Sequence, residues 1–470
     1  MKKNKNFNKI IKFSFFFIFL TSFGFVITKN KDIDFLAKLK KSIPQKTKYK
    51  IKKYIFPFSY INELEKTQLS SKYKYKQTVT NLSAKSDLYL KESLSSLEFS
   101  VIKKDQELNE ISKKLRTYSP TKNKLSYGIY NPYPGSAYLE YYDDNIFIMS
   151  SVGILGYSKV NDKKLSFIQI QNNIGQYFGL PELVGKVDKE YNASIKDIKI
   201  FDNNIFTSLT REIKKNCWNL TILRGVLNYK EVNFKPIYSP KECIDSTKFG
   251  EKEFRISQSG GRIINLDKNN IIFSIGEFRD RKLAQDKLSE FGKIIKLNLK
   301  TLKKEIISIG HRNPQGLLHI KNLNSIISTE HGPLGGDEVN IFKLDQAEIP
   351  NFGWSISSYG EHYGDVVQRN RQIYNKFPLY KSHKKYGFKE PLIYFTPSIG
   401  ISEIIQIGSK KFLFSSLKDK SIYIFDIEDK YATKNLMRIK IGERIRDIIN
   451  TKEGIFLFLE DTSSIGKIKL

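Results

Sequence analysis

The residues best suited to chemistry gather between His311 and Trp354. His311-Arg312-Asn313-Pro314-Gln315-Gly316 and Glu330-His331-Gly332-Pro333 flank one short hairpin pattern, and Gly335-Gly336-Asp337-Glu338 follows at once. Glycine lets backbone approach a ligand closely or adopt a positive φ. Arg312, Asn313 and Gln315, packed into four positions, can direct several hydrogen bonds onto an anion. The same composition also suits a pair of well-bonded polar turns. Further on, Arg444 and Arg446 alternate in a β-rich run, which puts both guanidinium groups on one face of a strand.

These residues need a scaffold, and one pattern recurs often enough to supply it. An apolar strand, a polar turn and an Ile/Phe-rich strand appear at 139–151, 198–212, 262–277, 317–332, 403–419 and 446–461. Six hairpins of one type, irregularly spaced, predict an all-β, six-bladed β-propeller made of four-stranded sheets. No 3.6-residue period runs through them, which excludes a helical solenoid. The second strands end in Arg211-Glu212, Gly276-Glu277, Glu330-His331 and Lys418. Equivalent blades would bring these ends to one rim of a central channel. A long insert at 359–391 is either a lid over that face or a Lys-rich excursion.

The motifs GHRNPQGL (310–317), TEHGPLGGDEVN (329–340) and NFGWSISSYG (351–360) resemble the glucose/sorbosone dehydrogenase family, soluble quinoprotein aldose dehydrogenases. The likeness continues through GFKEPLIYFTPSIGISE (387–403), SSLK (415–418) and GERIRDI (442–448), and covers roughly residues 125–470. It implies a six-bladed propeller that uses pyrroloquinoline quinone and calcium to oxidise a sugar or other alcohol. It also implies site residues. Arg312 and Asn313 match the cofactor-binding pair, with Gln315 and His331 at neighbouring positions. Lys418 matches a lysine on the quinone, Ser398 a hydroxyl residue, and Arg444 and Arg446 two late arginines. A planar trianion suits guanidinium forks and fixed cations. Gly332 and Pro333 match a turn whose backbone oxygens hold calcium, a hard ion that favours oxygen ligands.

The resemblance breaks in the third repeat, RISQSGGRIINLDKNNIIFSIGE (255–277). Gln258 (or Ser257, with a slipped register) stands where the family has its general-base histidine, and Glu277 where it has an orienting aspartate. None of the five histidines lies nearby in sequence. Glutamine cannot accept a proton at neutral pH, and removing a hydroxyl proton as hydride leaves needs a base. The expectation is therefore a quinoprotein-like dehydrogenase with altered base chemistry. The alternative is a non-catalytic exported propeller that binds a glycan, polyol or protein partner.

Of the formal net charge of +30, +17 falls within residues 1–123. No helix-turn-helix, zinc-finger or RNA-binding motif accompanies this excess, so no nucleic-acid partner is expected. Lys2, Lys3, Lys5, Lys9 and Lys12 precede an uncharged run from Phe13 to Thr28. That order predicts a signal anchor or signal peptide over 1–28 and an extracytoplasmic body held at the membrane, periplasmic in a bacterium. Residues 29–123 suggest a basic stem, partly helical or irregular, with one amphipathic helix over 88–115, and 124–470 the propeller. Export would allow Cys217 and Cys243 to form a disulfide, and two separate buried thiols is the alternative. Oligomeric state leaves no mark in the sequence.

Overall fold

The computed structural model describes residues 99–101 and 136–468, apart from gaps at 152, 163–164, 166, 178–193, 248–253, 364–374, 429–430 and 462–463. The expected signal anchor, and the stem outside 99–101, lie beyond the described residues. Among those described, no helix is long and apolar enough to cross a membrane.

Each of the six hairpins forms the first two strands of a sheet, and the six sheets are blades around a ring. The innermost strands are Ala137–Tyr142, Ile195–Phe201, Gly260–Asp267, Pro314–Ile320, Ile401–Gln406 and Ile445–Thr451, which name blades 1 to 6 in order. Each inner strand packs against the next, and that of blade 6 returns to that of blade 1. Two-residue turns join the first hairpins. Asp143 and Asp144 (φ 48° and 58°) and Asp202 and Asn203 (φ 48° and 54°) take the left-handed conformations that match strand twist and that Asp and Asn tolerate.

Blade 6 is completed from the other end of the chain. Phe99–Val101 pairs antiparallel with Ser464–Ile468, Phe99 opposite Ile468 and Val101 opposite Gly466. This corrects the expected helix over 88–115. An unpaired outer strand leaves a row of open backbone groups, and a β-favouring Phe-Ser-Val run supplies partners for them. The strand also lies ahead of the boundary drawn at 124.

Apolar side chains fill the wedges between blades. Phe147, Phe206, Phe273, Phe342 and Phe414 are fully buried, and such burial contributes about 1.5–3 kcal/mol per side chain. Leu139 and Ile148 of blade 1 meet Phe456, Phe458 and Ile465 of blade 6, which closes the ring.

The inner strands carry the polar residues. In blades 2 to 6 the register slips once near the strand start: between Ile195 and Asp197, Gly260 and Ile263, Pro314 and Gly316, Ile401 and Ile404, and Ile445 and Asp447. A bulge re-aims side chains, and the slipped positions include Lys196, Arg262, Gln315 and Arg446. Arg262 is the hub of the channel. Its Nη1 lies 2.8 Å from Asp447 Oδ1, 2.7 Å from Glu403 Oε2 and 3.1 Å from Asp197 Oδ1. Its Nη2 donates to the Arg446 carbonyl (3.1 Å), its Nε to that of Gln315, and its guanidinium sits 5.0 Å over the Tyr138 ring. One side chain thus touches the inner strand of every other blade. Burial pushes the Glu403 carboxyl up to about 8 and that of Asp197 to about 7, against the pull of Arg262.

Candidate functional site

The inner strands start, and their hairpin partners end, on one side of the ring. There the turn before blade 4 folds onto the end of that blade's second strand. The Arg312 N–H donates to Glu330 Oε2 (2.9 Å), and Glu330 Oε1 lies 3.2 Å from His311 Nδ1. Glu330 is fully buried, and His311 heads the groups that keep its carboxyl below the usual range against the cost of burial. Arg312 Nη1 then donates to the carbonyls of His331 (2.9 Å) and Gly332 (2.8 Å), with its guanidinium over the Trp354 ring. A pocket lined by Arg312, Glu330, His331, Trp354 and Ser357 lies at this end.

Two amides carry the rim onward. Asn313 Oδ1 accepts from Gln315 Nε2 (3.0 Å) and from the Gly260 N–H (3.0 Å), and its Nδ2 is 3.3 Å from His331 Nδ1. Burial first, and then Arg312, holds the His331 imidazole well below its usual range, so it is neutral at pH 7. Gln315 Oε1 accepts from Arg446 Nη1 (3.3 Å). Arg444 and Arg446 do share a face: both reach the fully buried Glu460, Arg444 Nε at 2.9 Å from Oε2 and Arg446 Nη2 at 2.9 Å from Oε1. Two guanidinium groups thus share one carboxylate.

Gln258 and Glu277 emerge from paired backbone. The Phe278 N–H donates to the Gln258 carbonyl (2.9 Å) and the Gly276 N–H to that of Ser259 (2.7 Å). A Cβ on Gly276 would fall 2.1 Å from the Gln258 oxygen, so only glycine allows this approach. After Glu277, Phe278 and Arg279 hold φ values of 51° and 70°, a costly conformation outside glycine that fixes the turn. Glu277 is fully buried and, among the described residues, no side chain hydrogen-bonds its oxygens. Burial pushes its carboxyl up to about 7, opposed in part by Arg312, Arg281 and Arg279. Gln258 Oε1, Ser259 Oγ, Trp354 Nε1 and Ser357 Oγ are also buried without a hydrogen-bond partner among the described residues.

The other expected residues fall at the margin. Ser398 Oγ accepts from the Gly335 N–H (3.0 Å) and donates to the Pro333 carbonyl (3.3 Å). Lys418 is exposed in the turn after the second strand of blade 5, its N–H on the Ile399 carbonyl (2.9 Å). Arg211 and Glu212 do not join the rim. The second strand of blade 2 runs on to Lys214, so Glu212 accepts from the Asn216 N–H of its own hairpin and Arg211 lies over the Tyr177 ring. Within the insert, Tyr359 stacks on Tyr394 (3.7 Å) and His383 (5.3 Å), and His362 Nδ1 is 3.1 Å from Arg281 Nη1. Its described parts pack beside the site, and 364–374 lie outside them. Cys217 and Cys243 are joined, with Cα atoms 5.4 Å apart.

The fit to the family's cofactors divides. Cations, amides and unsatisfied buried polar atoms around a channel mouth fit a planar polyanion such as pyrroloquinoline quinone. The calcium turn does not fit as it stands. The Gly332 carbonyl is taken by the Arg312 guanidinium and that of Pro333 by Ser398, so a metal ion there would meet a fixed positive charge. Among the described residues no group of three or more His, Cys, Asp or Glu is placed to share a metal.

Fold and rim together define a six-bladed β-propeller with a cation-rich, incompletely bonded channel mouth. The profile of the Glucose / Sorbosone dehydrogenase family matches residues 200–469, more than half of the chain, and the chain belongs to that family. It is 29% identical over 232 residues to the aldose sugar dehydrogenase YliI of Escherichia coli, covering 45% of this chain. It is 24% identical over 288 residues to quinoprotein glucose dehydrogenase B of Acinetobacter calcoaceticus, covering 44%. The matched segment spans 59% of the length of each of these relatives. The soluble aldose sugar dehydrogenase of E. coli in its apo form superposes with a TM-score of 0.54 at 20% identity, covering 71% of this chain and 95% of that one. The PQQ-bound aldose sugar dehydrogenase of Streptomyces coelicolor gives 0.52 at 14% identity, covering 80% and 99%. At such identities these two establish the fold alone.

Proposed function

We propose that the rim binds pyrroloquinoline quinone and that the protein is a sugar or alcohol dehydrogenase whose proton acceptor is Glu277. When bound, the quinone supplies the two-electron acceptor for hydride. Arg444, Arg446 and Lys418 offset its carboxylate charge, while Asn313 and Gln315 direct hydrogen bonds and His331 and Ser398 stiffen the turns that hold them. Glu277 carries the reading. It is a buried carboxylate without a side-chain hydrogen bond among the described residues, poised near neutrality beside the position where the family's base is replaced by Gln258. A base so placed contributes roughly 10²–10⁴-fold to rate. Its ionised form takes the hydroxyl proton, and Arg312, Arg281 and Arg279 stabilise that form. The substrate is a small sugar or polyol, and the body lies outside the cytoplasm at the end of its anchor, where its disulfide would persist.

Single-turnover reduction of quinone-loaded protein by an aldose tests this. The rate should rise with pH through about 7 and fall at least 100-fold in Glu277→Gln. Undiminished reduction in that variant overturns the assignment. Gln258 favours a second reading, a propeller that binds a polyol or glycan without oxidising it. Loaded wild-type protein that is never reduced by any sugar would support that one.

A further inference from the structure

Every exposed aromatic ring among the described residues falls within 363–394, beside the rim. The four are Tyr363, Tyr380, Tyr386 and Tyr394, and no phenylalanine or tryptophan joins them. Their rings are held in place. Tyr380 and Tyr386 stack at 3.7 Å with planes 5° apart, and Lys385 Nζ sits 5.9 Å over the Tyr386 ring. Tyr394 stacks on Tyr359, and the Arg279 guanidinium lies 4.8 Å over Tyr363. Backbone contacts set these rings next to the site. Tyr380 bridges Ser357, with its N–H on the Ile356 carbonyl (2.9 Å) and its carbonyl accepting the Ser358 N–H (3.0 Å). Tyr394 stands opposite Glu338 in blade 4. Ser357, Ser358 and Glu338 all line the pocket at the channel mouth. The Tyr386 N–H donates to the carbonyl of His383, whose ring stacks on Tyr359, so the two tyrosine pairs share one support. The patch is also cationic. Residues 375–391 hold five lysines and one acid, Glu390. That carboxylate is spent on the Tyr359 hydroxyl (2.7 Å) and the Lys384 N–H (2.8 Å), while the Lys384 and Lys385 side chains are exposed.

Resting on the sugar reading of the rim, we infer that this tyrosine–lysine strip holds a carboxylate-bearing oligosaccharide whose end residue reaches the channel mouth. A pyranose lays an apolar C–H face on an aromatic ring while its hydroxyls meet polar groups at the ring edge. Phenol hydroxyls and ammonium groups supply those polar groups. The lysines complement carboxylates spaced along the chain. Continuity with the pocket sets the direction: a glycan whose terminal unit enters the mouth runs outward over the tyrosines.

Calorimetric titration of the full protein, without quinone, with hexagalacturonate in about 0.15 M salt tests this. Tyr380→Ala with Tyr386→Ala should weaken binding about ten-fold or more. Lys384→Met with Lys385→Met should weaken it about five-fold, and unfolding midpoints control for folding. Lys434→Met with Lys440→Met, on the outer strand of blade 5, should change nothing. Binding that survives the tyrosine change overturns the inference. So does a loss as large with the blade-5 lysines, which is unspecific attraction to a basic protein. An oligothymidylate of equal charge that depends on the two tyrosines while the glycan does not also overturns it, as does no binding by the wild type. Quinone is absent throughout, so none of these results touches the quinone reading, which stands or falls on the reduction assay.

Discussion

The floor and the rim of the channel are both built from buried polar residues on inner strands, yet they differ in how completely those residues satisfy one another. On the floor, Arg262 spends its donors on carboxylates and carbonyls from four other blades, and no nitrogen of its guanidinium is left without a partner. Around the rim, Gln258, Ser259, Trp354 and Ser357 keep buried polar atoms with no hydrogen-bond partner among the described residues, and Glu277 is held where ionisation is costly. Buried polar atoms are nearly always paired in native proteins. A closed network specifies structure, and an open one at a channel mouth leaves polar groups for a ligand to meet.

The largest loss is expected at the hub. Arg262→Met leaves three buried acids without their cation, and losing one partner of a buried pair costs about 3–5 kcal/mol. Denaturant unfolding should show that loss with or without ligand. A change under 1 kcal/mol would mean the floor is not what holds the ring. On the rim, Arg444→Ala with Arg446→Ala and Glu460→Gln, the last to avoid stranding a carboxylate, should weaken quinone binding about 100-fold while unfolding changes little. Calorimetry with unchanged affinity would retire those two arginines.

Glu277 sharpens the contrast through pH. Its folded pKa is raised, so the penalty on its ionised form is absent below the unfolded value of about 4.5. It grows as pH rises to about 7 and is constant above. Glu277→Gln should therefore stabilise the protein by about 2–3 kcal/mol at pH 8 and hardly at pH 4. Equal effects at both would show that the carboxyl is not destabilised in the fold. The smallest effect belongs to Lys418, which is exposed: Lys418→Ala should weaken quinone binding only about two- to five-fold.

Much of this was legible in the sequence because hairpins are local. Strand, polar turn and strand lie within about sixteen residues, and all six hairpins fold where the pattern repeats. The blade-4 cluster was legible too, since Arg312, Asn313, Gln315 and His331 converge through one short hairpin. What escaped depends on the ring. Asp197, Arg262, Glu403 and Asp447 meet only because they occupy matching places on inner strands far apart in the chain. A line of acids at that place in blades 2, 5 and 6 facing one arginine in blade 3 was the available signal. Glu460 ends the sixth hairpin as Glu277 ends the third, and extending the rim pattern one repeat further reaches it. Phe99–Val101 carried no comparable sign, because a three-residue strand becomes one only against an edge.

A crystal structure of the protein with pyrroloquinoline quinone would show whether the open rim is the quinone site. Density is expected at the channel mouth, against Arg444 and Arg446, with new partners for the orphaned rim atoms and the Arg262 hub unchanged. Density at another site, or a rim whose buried atoms stay unpaired with the quinone bound, would contradict it.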